Sequence, residues 1–524
     1  MRYFGIIRNL KVSRTVYVAV GTLLIAAPAF AASNPASWPT AGHDTADTRS
    51  QPAESQISPA NAGQLQTKWV FTTGGDVTAT PTEADGVVYV VDWGGNLFAI
   101  NAANGHAIWS HKIADYNGLA GSLSRTSVAV DGGTLYLGDM PGKPTWPAGM
   151  GAHVIAIDAA TGALRWITQV DDHPASQMTA AAVVSGGVIY TGVSSNEENL
   201  ATNPKYPCCT FRGSAVALNA TTGQLLWKTL TVPPGFSGGA IWSSTAAVDT
   251  QLGTVYFSTG NNYSVPKSVL NCQQQGRANC LPANDYMDSV ISLGQSDGSV
   301  RWSSRALTYD AWTVACLSNP PGPNCPSPSG PDFDFGSGPN LFTVASSGKR
   351  LVGAGQKSGL YWAFDPANGA VVWKTQVGPG GVLGGVEWGT ATDGQQIYVE
   401  DANTSHVNYK LMPSGQTTTG GAWTALDAAT GAIKWQTADP LGALDSGAVS
   451  VANGVVYAGS MDRQGHMYGM DAATGTIKFD FASGGSVIDG PSIANGTVYW
   501  GSGFSHLGPS VGTGNNKVYA FKTP

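Results

Sequence analysis

Charged side chains are scarce in this sequence, and its cations do not cluster. Asp, Glu, Lys and Arg make up 12% of the 524 residues, and the formal net charge is −7. An acidic chain without basic patches is poorly suited to nucleic acid or an anionic membrane surface, so the composition argues against both partners. With 42% apolar residues and 68 glycines, the chain is also too apolar for disorder. These values favour an all-β protein with many tight turns.

An apolar run that could comfortably span a bilayer is also missing. The run at residues 16–27 is too short, and it stands between four cations and the small-residue sequence AFA at 29–31. This arrangement is typical of a secretory signal, so we expect residues 1–31 to be removed and residues 32–524 to form a single domain. No cysteine follows the expected cleavage site, which argues against a lipid anchor.

The chain lacks a C-x-x-C-H motif, so it carries no c-type haem of its own. Its six cysteines fall into three local pairs, and in an exported chain such pairs predict disulfides. Two of the pairs close loops rich in Pro, Gly and Asn and are expected to be loop staples. The three pairs are Cys208/Cys209, Cys272/Cys280 and Cys316/Cys325.

One pattern recurs along the chain: a strand, then Asp/Asn-Ala-x-Thr/Asn-Gly, then an aromatic residue four positions after the Gly. The Gly supplies a positive φ between two antiparallel strands, and the flat aromatic ring suits docking of one sheet onto the next. Such internal repetition predicts a propeller built from similar sheets. The copies end at Trp109, Trp166, Trp227, Trp302, Trp373, Trp435 and Phe479.

An eighth unit is split between the two ends of the chain. KVYAFKTP ends the sequence without its turn and tryptophan, whereas LQTKWVFTTG near residue 70 contains an unpartnered Trp69. Pairing these segments closes a ring and removes exposed sheet edges. We therefore predict an all-β, eight-bladed β-propeller of four-stranded antiparallel sheets, closed by pairing of the N- and C-terminal segments.

The most informative departure from this repetition lies at residues 188–227. About twenty extra residues separate its two strands, and they include the adjacent glutamates Glu197 and Glu198 and the adjacent cysteines Cys208 and Cys209. The following two units also carry long insertions. Repetition alone does not give a function, because propellers serve as enzymes and as scaffolds.

The AxDxxTGxxxW repeat resembles that of the pyrroloquinoline quinone (PQQ)-dependent alcohol dehydrogenases, and the resemblance covers nearly all of the chain after residue 31. The polyvinyl alcohol dehydrogenase branch is the most similar, on the segments GHDTADTR, GDVTATP, VVDWGGNLFAINA, CCTFRGS and YDAWTVAC. The resemblance implies an eight-bladed fold, a bound PQQ and a metal. A noncatalytic outer-membrane assembly factor shares the repeat.

The resemblance implies metal ligands in two adjacent blades. SSNEE followed by FRG is similar to the context of the family's Ca²⁺-ligating Glu, which gives Glu198, or alternatively Glu197, and STGNNY gives Asn261. Carboxylate and amide oxygens suit Ca²⁺. Taken singly, an exposed Glu pair or a turn Asn is ordinary surface chemistry.

Four residues are implied as PQQ contacts. GGAIW gives Trp242 as the stacking floor, although it could be another packing tryptophan, and SLSRTS gives Arg125 as the partner of a quinone carboxylate. QMTAAAVV gives Thr179 as a hydrogen-bonding residue. GQKSGLYWAFD gives Lys357 as the cation near the reactive carbonyls.

For the catalytic base the resemblance leaves a choice. Thr313 occupies the position where the family has its Asp, but GPDFDFGSGPNLF, beyond the Cys316/Cys325 loop, resembles the family's W-D-Y-D element. We therefore expect Asp332 to be the base and Asp334 to be an auxiliary or an additional metal ligand. Asp310 is the second candidate for the base.

Cys208 and Cys209 lie one blade later than the vicinal disulfide of methanol-type family members. They either form a strained ring over the quinone or only shape the mouth of the site.

The expected function is that of a periplasmic PQQ- and Ca²⁺-dependent dehydrogenase that oxidises secondary alcohols such as polyvinyl alcohol and passes electrons to a separate cytochrome c. The alternative is a noncatalytic propeller scaffold of the cell envelope.

Overall fold

A computed structural model describes residues 34–140, 151–243, 245–508 and 510–524, together with residues 1, 2 and 5. The predicted signal at residues 1–31 lies outside the described residues apart from those three. Two compact units, Met1–Ser33 and Asn34–Pro524, divide the chain. The second unit is described below. Among the described residues, no helix is long and apolar enough to cross a membrane.

Antiparallel strands dominate the first half of the unit. They are β1 (Ser50–Gln51), β2 (Gln66–Thr72), β3 (Thr82–Ala84), β4 (Val87–Val91), β5 (Asn96–Asn101), β6 (Ala107–Lys112), β7 (Ala129–Asp131), β8 (Thr134–Gly138), β9 (Ala152–Asp158), β10 (Leu164–Asp171), β11 (Ser176–Gln177), β12 (Val183–Ser185), β13 (Val188–Ser195), β14 (Ser214–Asn219), β15 (Leu225–Leu230), β16 (Ser237–Gly238), β17 (Ala247–Asp249), β18 (Thr254–Ser258) and β19 (Asn262–Ser264).

The second half continues the same arrangement. Its strands are β20 (Ser289–Gly294), β21 (Val300–Arg305), β22 (Asn340–Thr343), β23 (Arg350–Gly355), β24 (Leu360–Phe364), β25 (Val371–Gln376), β26 (Ala391–Thr392), β27 (Gln396–Asp401), β28 (Tyr409–Lys410), β29 (Thr417–Thr418), β30 (Ala422–Asp427), β31 (Ile433–Ala438), β32 (Ser450–Ala452), β33 (Val455–Gly459), β34 (His466–Asp471), β35 (Ile477–Ala482), β36 (Ser492–Ala494), β37 (Thr497–Ser502) and β38 (Lys517–Lys522).

Within the residues that the structure describes, the helices are short and lie in connections between strands. They are α1 (Ile113–Asn117), α2 (Glu197–Leu200), α3 (Lys267–Gln274) and two 3-10 helices, Ala62–Gln64 and Val314–Leu317.

In the described residues the strands form the eight predicted blades. In chain order, blades 1 to 7 are β3–β6, β7–β10, β12–β15, β17/β18/β20/β21, β22–β25, β26/β27/β30/β31 and β32–β35, and blade 8 is β36, β37, β38 and β2. The pairing of β2 with β38 confirms the predicted ring closure, and Trp69 lies opposite Ala520 in that pair. Two blades depart from four strands: β1 adds to blade 7 as a fifth, parallel strand, and β11 pairs with β13 of blade 3.

The repeated tryptophans dock neighbouring blades as the sequence predicts. Trp227 at the outer strand of blade 3 donates its Nε1–H to the carbonyl of Gln295 in blade 4 (2.9 Å), and its ring covers the turn Gly298. Trp166 contacts Ala220 (3.1 Å) and Gly223 in the same way. A glycine is required at this turn for two reasons: the backbone has a positive φ, and the indole ring leaves no room for a Cβ.

An inner clasp, residues 36–51, follows the inner strands around the ring. Its backbone carbonyls accept hydrogen bonds from successive blades: Trp38 from Glu83, Pro39 from Val130, Thr45 from Val248, Ala46 from Leu341, Thr48 from Thr392 and Arg49 from Val451. Arg49 is buried and donates from Nε to Val449 O and from Nη1 to Ala41 O, each at 2.7 Å. One segment thus joins the inner strands of six blades.

Gly298→Ala tests the docking, with Gly253→Ala as its matched control. Both glycines have φ +65°, but an added Cβ would lie 2.6 Å from the Trp227 ring at Gly298 and would meet nothing within 4 Å at Gly253. We expect a loss of about 1–2 kcal/mol of unfolding free energy at Gly253 from the backbone. Gly298→Ala should lose about 1–3 kcal/mol more through overpacking. Equal midpoints in urea unfolding would contradict the docking role.

Candidate active site

A cavity of about 910 Å³ opens on one face of the ring. Its lining comes from connections between the second and third strands of a blade, or between one blade and the next, and every blade contributes. Representative lining residues, from blade 1 to blade 8, are Trp93, Arg125, Thr179, Glu198, Trp242, Asp334, Lys357, Glu387, Trp388, Leu444, Met461 and Phe504. Of the residues predicted from the sequence, six lie here: Arg125, Thr179, Glu198, Trp242, Asp334 and Lys357.

Lys357 is the electrostatic centre of the polar wall. Its Nζ lies 3.1 Å from Asp332 Oδ2 and 3.2 Å from Asp334 Oδ2, and 5.2 Å from the centre of the Trp242 ring. Burial lowers the pKa of Lys357, but the surrounding carboxylates outweigh it and hold this pKa well above its ordinary value. The lysine is therefore a fixed cation facing the cavity.

Asp334 contacts three other residues predicted from the sequence: Lys357, Trp242 and Asn261. Its Oδ2 accepts a hydrogen bond from Trp242 Nε1 (2.7 Å), and its Oδ1 accepts one from the backbone N–H of Asn261 (2.8 Å). Asn261 is 1% exposed and also donates its side-chain Nδ2–H to Trp312 O (3.0 Å), so it lies directly behind Asp334. The indole plane of Trp242 is thereby held in a defined orientation at the cavity wall.

Asp332 is buried beside Lys357 in a left-handed conformation, with φ +62°. Within the described residues its Oδ1 has no hydrogen-bond partner. Burial raises the pKa of Asp332 well above its ordinary value, and Lys357 opposes this only in part. An unpaired oxygen with a raised proton affinity is what a general base requires.

Asp310, the second candidate for the base, has a different role in the structure. Its carboxylate accepts the backbone N–H groups of Asp332 (3.2 Å) and Phe333 (2.8 Å). Neither Asp310 nor Asp332 itself lines the cavity, but Asp332 contacts Lys357, which does. Burial raises the pKa of Asp310 to about 6, against the effect of those amides. The side chain therefore holds the backbone of the loop that carries Asp332.

The two adjacent glutamates separate into two roles. Glu198 lines the cavity, and within the part of the chain that is described its buried Oε1 has no hydrogen-bond partner. Burial raises the pKa of Glu198 to about 8, with Lys357 opposing. Glu197 is fully buried and accepts hydrogen bonds from Tyr206 Oη (2.9 Å) and the amide of Phe211 (2.8 Å). Glu197 therefore does not suit the ligand role that was its alternative, because its oxygens hold the insertion loop.

Arg125 lies between two indoles of the cavity lining, and one of them, Trp388, also contacts Trp242 with 5.1 Å between ring centres. Its guanidinium carbon is 4.4 Å from the centre of the Trp388 ring and 5.7 Å from that of Trp93. Burial lowers the pKa of Arg125 to about 10, and Glu387 opposes this shift. The cation is thus presented to the cavity by flat aromatic surfaces. Thr179 also lines the cavity, with its hydroxyl 2.7 Å from Ser194 Oγ.

Several lining residues were not predicted from the sequence. Glu387 and Trp388 stand in GVEWGT, and the only signal was an acidic–aromatic pair in a Gly-rich connection between repeats. Burial raises the pKa of Glu387 to about 7. His506 stacks on Trp93 at 3.5 Å between ring centres, in a connection of blade 8 that has no distinctive composition.

The vicinal cysteines do not line the cavity. Cys208 and Cys209 form a disulfide, as do the other two predicted pairs. Cys209 packs in a hydrophobic cluster with Phe211 and Tyr263 that also contacts Trp242. The cysteine pair thus lies behind the wall, which does not fit the interpretation that it covers a cofactor.

The wall from blades 7 and 8 is apolar. Met461, Ile488 and Phe504 form a buried cluster with Leu444 and Val511 packed against it. The cavity therefore has a charged side and a hydrocarbon-like side, as small-molecule sites commonly do.

The residues present fit a metal ion and a flat, anionic cofactor. Glu198 and Asp332 each carry a buried oxygen without a partner, and four carboxylates influence the single Lys357. Buried excess negative charge of this kind calls for a further cation, and hard oxygen donors suit Ca²⁺. Across the described residues, no three His, Cys, Asp or Glu side chains converge on one metal position, so Asn261 and non-protein ligands would have to complete a shell.

Comparisons with known proteins are consistent with this arrangement. A family model described as "Outer membrane protein assembly factor BamB" matches residues 55–204, 151–274, 286–439 and 418–522. The chain is 34% identical to the polyvinylalcohol dehydrogenase of Sphingopyxis sp. (strain 113P3), over 85% of this chain and 69% of that protein. It is 31% identical to the polyvinylalcohol dehydrogenase of Pseudomonas sp., over 93% and 77%.

Among solved structures, the quinohemoprotein alcohol dehydrogenase from Comamonas testosteroni superposes with a TM-score of 0.68. The match has 20% sequence identity and covers 93% of this chain and 80% of that one. At this identity the match shows a shared fold.

Replacement of Lys357 by Met tests the charge balance of the cavity. Asp332 and Asp334 would lose the only cation that pairs with them among the described residues, so we expect the metal-free protein to lose about 3–5 kcal/mol of unfolding free energy. Added Ca²⁺ should stabilise the variant more than the wild type, as measured by thermal unfolding. The exposed Lys349→Met is the control, and an equal Ca²⁺ response in all three proteins would contradict the account.

Proposed function

Because the chain belongs to the quinoprotein alcohol dehydrogenase family, in the polyvinyl alcohol dehydrogenase branch, we propose that it oxidises secondary alcohols with PQQ and Ca²⁺. The observation that carries this proposal is the Lys357 cluster: one cation between Asp332 and Asp334, over the Trp242 ring, with Glu198 on the same cavity wall. Such a buried concentration of charge costs stability and is typical of functional sites.

The bound PQQ would supply the electrophilic carbonyl that accepts a hydride, and Ca²⁺ would supply Lewis acidity. Glu198 and Asn261 would hold the metal, with Asp334 as a further oxygen donor. Trp242 would support the flat ring from one side. Arg125 and Thr179 would bind its polar edge, with the guanidinium pairing to a carboxylate.

Asp332 is the preferred general base among the three aspartates. Its Oδ1 is unpaired, whereas both oxygens of Asp334 accept hydrogen bonds and Asp310 holds backbone amides. Asp332 would take the hydroxyl proton of the alcohol while the carbinol hydrogen leaves as hydride. Lys357 would stabilise the negative charge that develops beside it.

The apolar wall supports a substrate whose hydroxyl is attached to a hydrocarbon chain. Met461, Ile488 and Phe504 line the cavity as one apolar cluster, and Leu507, which also lines it, is 54% exposed. An apolar lining that includes a solvent-exposed residue suits a substrate whose hydrocarbon chain is longer than the cavity. Together with the names of the two relatives, this supports polyvinyl alcohol or a similar secondary alcohol as substrate.

The remaining parts of the proposal concern location and electron transfer. The secretory pattern at residues 1–31 supports a periplasmic protein. The sequence has no haem-attachment motif, so we propose a separate cytochrome c as electron acceptor; the acidic net charge of −7 suits a basic partner.

A noncatalytic envelope scaffold is the less supported alternative. It shares the fold, but it gives no reason for Glu198, Asp334 and Lys357 to line one cavity with Asp332 buried against the lysine.

The function is tested by incubating purified protein with PQQ and Ca²⁺ and measuring dye reduction with polyvinyl alcohol and small secondary alcohols. We expect turnover only when both PQQ and Ca²⁺ are present. Protein that neither takes up PQQ nor reduces dye with any alcohol would contradict the proposal and favour the scaffold.

The base is tested by comparing Asp332→Ala with Asp310→Ala. Removing a general base lowers kcat by about 10²–10⁴-fold, so Asp332→Ala should lose that factor while still binding PQQ. Asp310→Ala should keep more activity, because Asp310 acts only through the backbone. The reverse order of kcat losses would assign the base to Asp310.

Metal binding should depend on pH. Burial raises the pKa of Glu198 to about 8 in the metal-free protein, and a ligand carboxylate must lose its proton to bind. The logarithm of the Ca²⁺ affinity should therefore fall by about one per pH unit below about pH 8, as measured by calorimetry with PQQ present. In Glu198→Gln both the affinity and this slope should be lost; a slope retained in that variant would place the proton elsewhere.

A further inference from the structure

The Cys316–Cys325 loop reaches across to the segment that carries Glu198. The loop lies between Asp310 and Asp332 in sequence, its cysteines are bonded with Cα atoms 4.8 Å apart, and it begins in the 3-10 helix Val314–Leu317. That 3-10 helix packs against α2. The cross-linked loop that precedes Asp332 in sequence is thus in contact with the helix that carries Glu198, the proposed metal ligand.

Asn324 makes the contact through one side-chain amide. Its Nδ2 lies 3.1 Å from Ala201 O, 3.1 Å from Asn203 O and 3.2 Å from Tyr206 O. These carbonyls follow α2 directly and have the correct geometry to accept its two N–H groups, one of them shared. A single half-buried side chain therefore contacts three carbonyls within residues 201–206.

The loop in turn holds Asn324 in place. Thr313 Oγ1 donates to Asn324 O (3.0 Å), and the neighbouring Cys325 N–H donates to Gly322 O (3.0 Å). The disulfide closes this short loop around Asn324. The side-chain amide of Asn324 is consequently held by a loop that a disulfide cross-links. In sequence this loop lies between Asp310 and Asp332.

The segment that carries Glu198 needs such support. α2 has four residues, Glu197–Leu200, and its N-cap residue Asn196 makes no side-chain capping hydrogen bond. An isolated turn of this length is not stable in water, because helix nucleation is unfavourable. Glu197 fixes one side of the segment through Tyr206 and Phe211, and Asn324 fixes the carbonyl side that follows Leu200.

We propose that Asn324 is a positioning residue that, supported by the Cys316–Cys325 disulfide, holds residues 197–206 so that Glu198 faces the cavity. Its effect on metal affinity rests on the proposed function of Glu198 as a ligand. The effect on the order of residues 197–206 does not rest on it. Groups that orient a ligand in this way typically change metal affinity by about 10–100-fold.

Three variants of the full-length protein test the proposal: Asn324→Ala, Cys316→Ser/Cys325→Ser, and the control Cys272→Ser/Cys280→Ser. The control removes the other loop disulfide, whose cysteines are eight residues apart and whose Cys272 lies in α3 rather than in the loop that carries Asn324. Amide hydrogen exchange over residues 197–206 and calorimetric Ca²⁺ affinity with PQQ are measured for each.

We expect exchange of residues 197–206 to be at least about tenfold faster, and Kd for Ca²⁺ about 10–100-fold higher, in the first two variants, with the control like the wild type. Unchanged exchange in Asn324→Ala would overturn the proposal, as would faster exchange with an unchanged Kd. If the cysteine variant does not fold, Asn324→Ala decides alone. If the wild type itself binds no Ca²⁺, the proposed function fails and hydrogen exchange decides the positioning role.

Discussion

The ring depends on the contact of each outer-strand tryptophan with the next blade. The indole N–H of Trp227 bonds to a carbonyl across the interface, and its ring lies on a glycine that has no side chain to displace it. The hydrogen bond recurs at Trp109, Trp166, Trp302 and Trp435. In the described residues Trp373 covers Gly431 without a partner for its N–H, and blade 7 has Phe479 instead of a tryptophan. The last gap is closed by β2 pairing with β38, and the inner clasp joins six inner strands from the centre. The cavity exists only because this closure brings connections from all blades together.

The charged groups in the cavity wall lower the stability of the folded ring. Lys357 has carboxylates on several sides, and Glu198 and Asp332 each keep a buried oxygen unpaired within the described residues. Burial of these groups is unfavourable without a further cation. The rigid blades behind them, together with hydrogen bonds such as that from Trp242 to Asp334, hold the groups in place. The site thus concentrates charge that the fold by itself would disfavour.

The repeat made the blades predictable, because a period in sequence becomes a period in space. The pairing of the Trp69 segment with the C-terminal strand could be predicted, because the last strand lacks a following tryptophan and Trp69 lacks a preceding strand. The inner clasp was not predictable. Its backbone carbonyls accept most of its hydrogen bonds, and because every residue type has a carbonyl, the sequence does not reveal them. Arg49 is the exception, since its side chain makes buried hydrogen bonds.

At the site, Lys357 and Trp242, which stand in family-like motifs, both line the cavity, and their roles there remain predictions. Glu197 and Glu198 could not be told apart from sequence, because only the structure shows which carboxylate is used by the insertion loop. Glu387 and His506 were missed because a cavity formed by eight blades collects residues that are distant in the chain and carry no shared pattern.

The most direct test is a crystal structure of the protein grown with PQQ and Ca²⁺, with the metal located by anomalous scattering. The account predicts a metal peak about 2.3–2.6 Å from oxygens of Glu198 and Asn261, with the quinone ring over Trp242 and its reactive edge beside Lys357. A quinone bound elsewhere, or a cavity without metal at saturating concentrations of both, would contradict it.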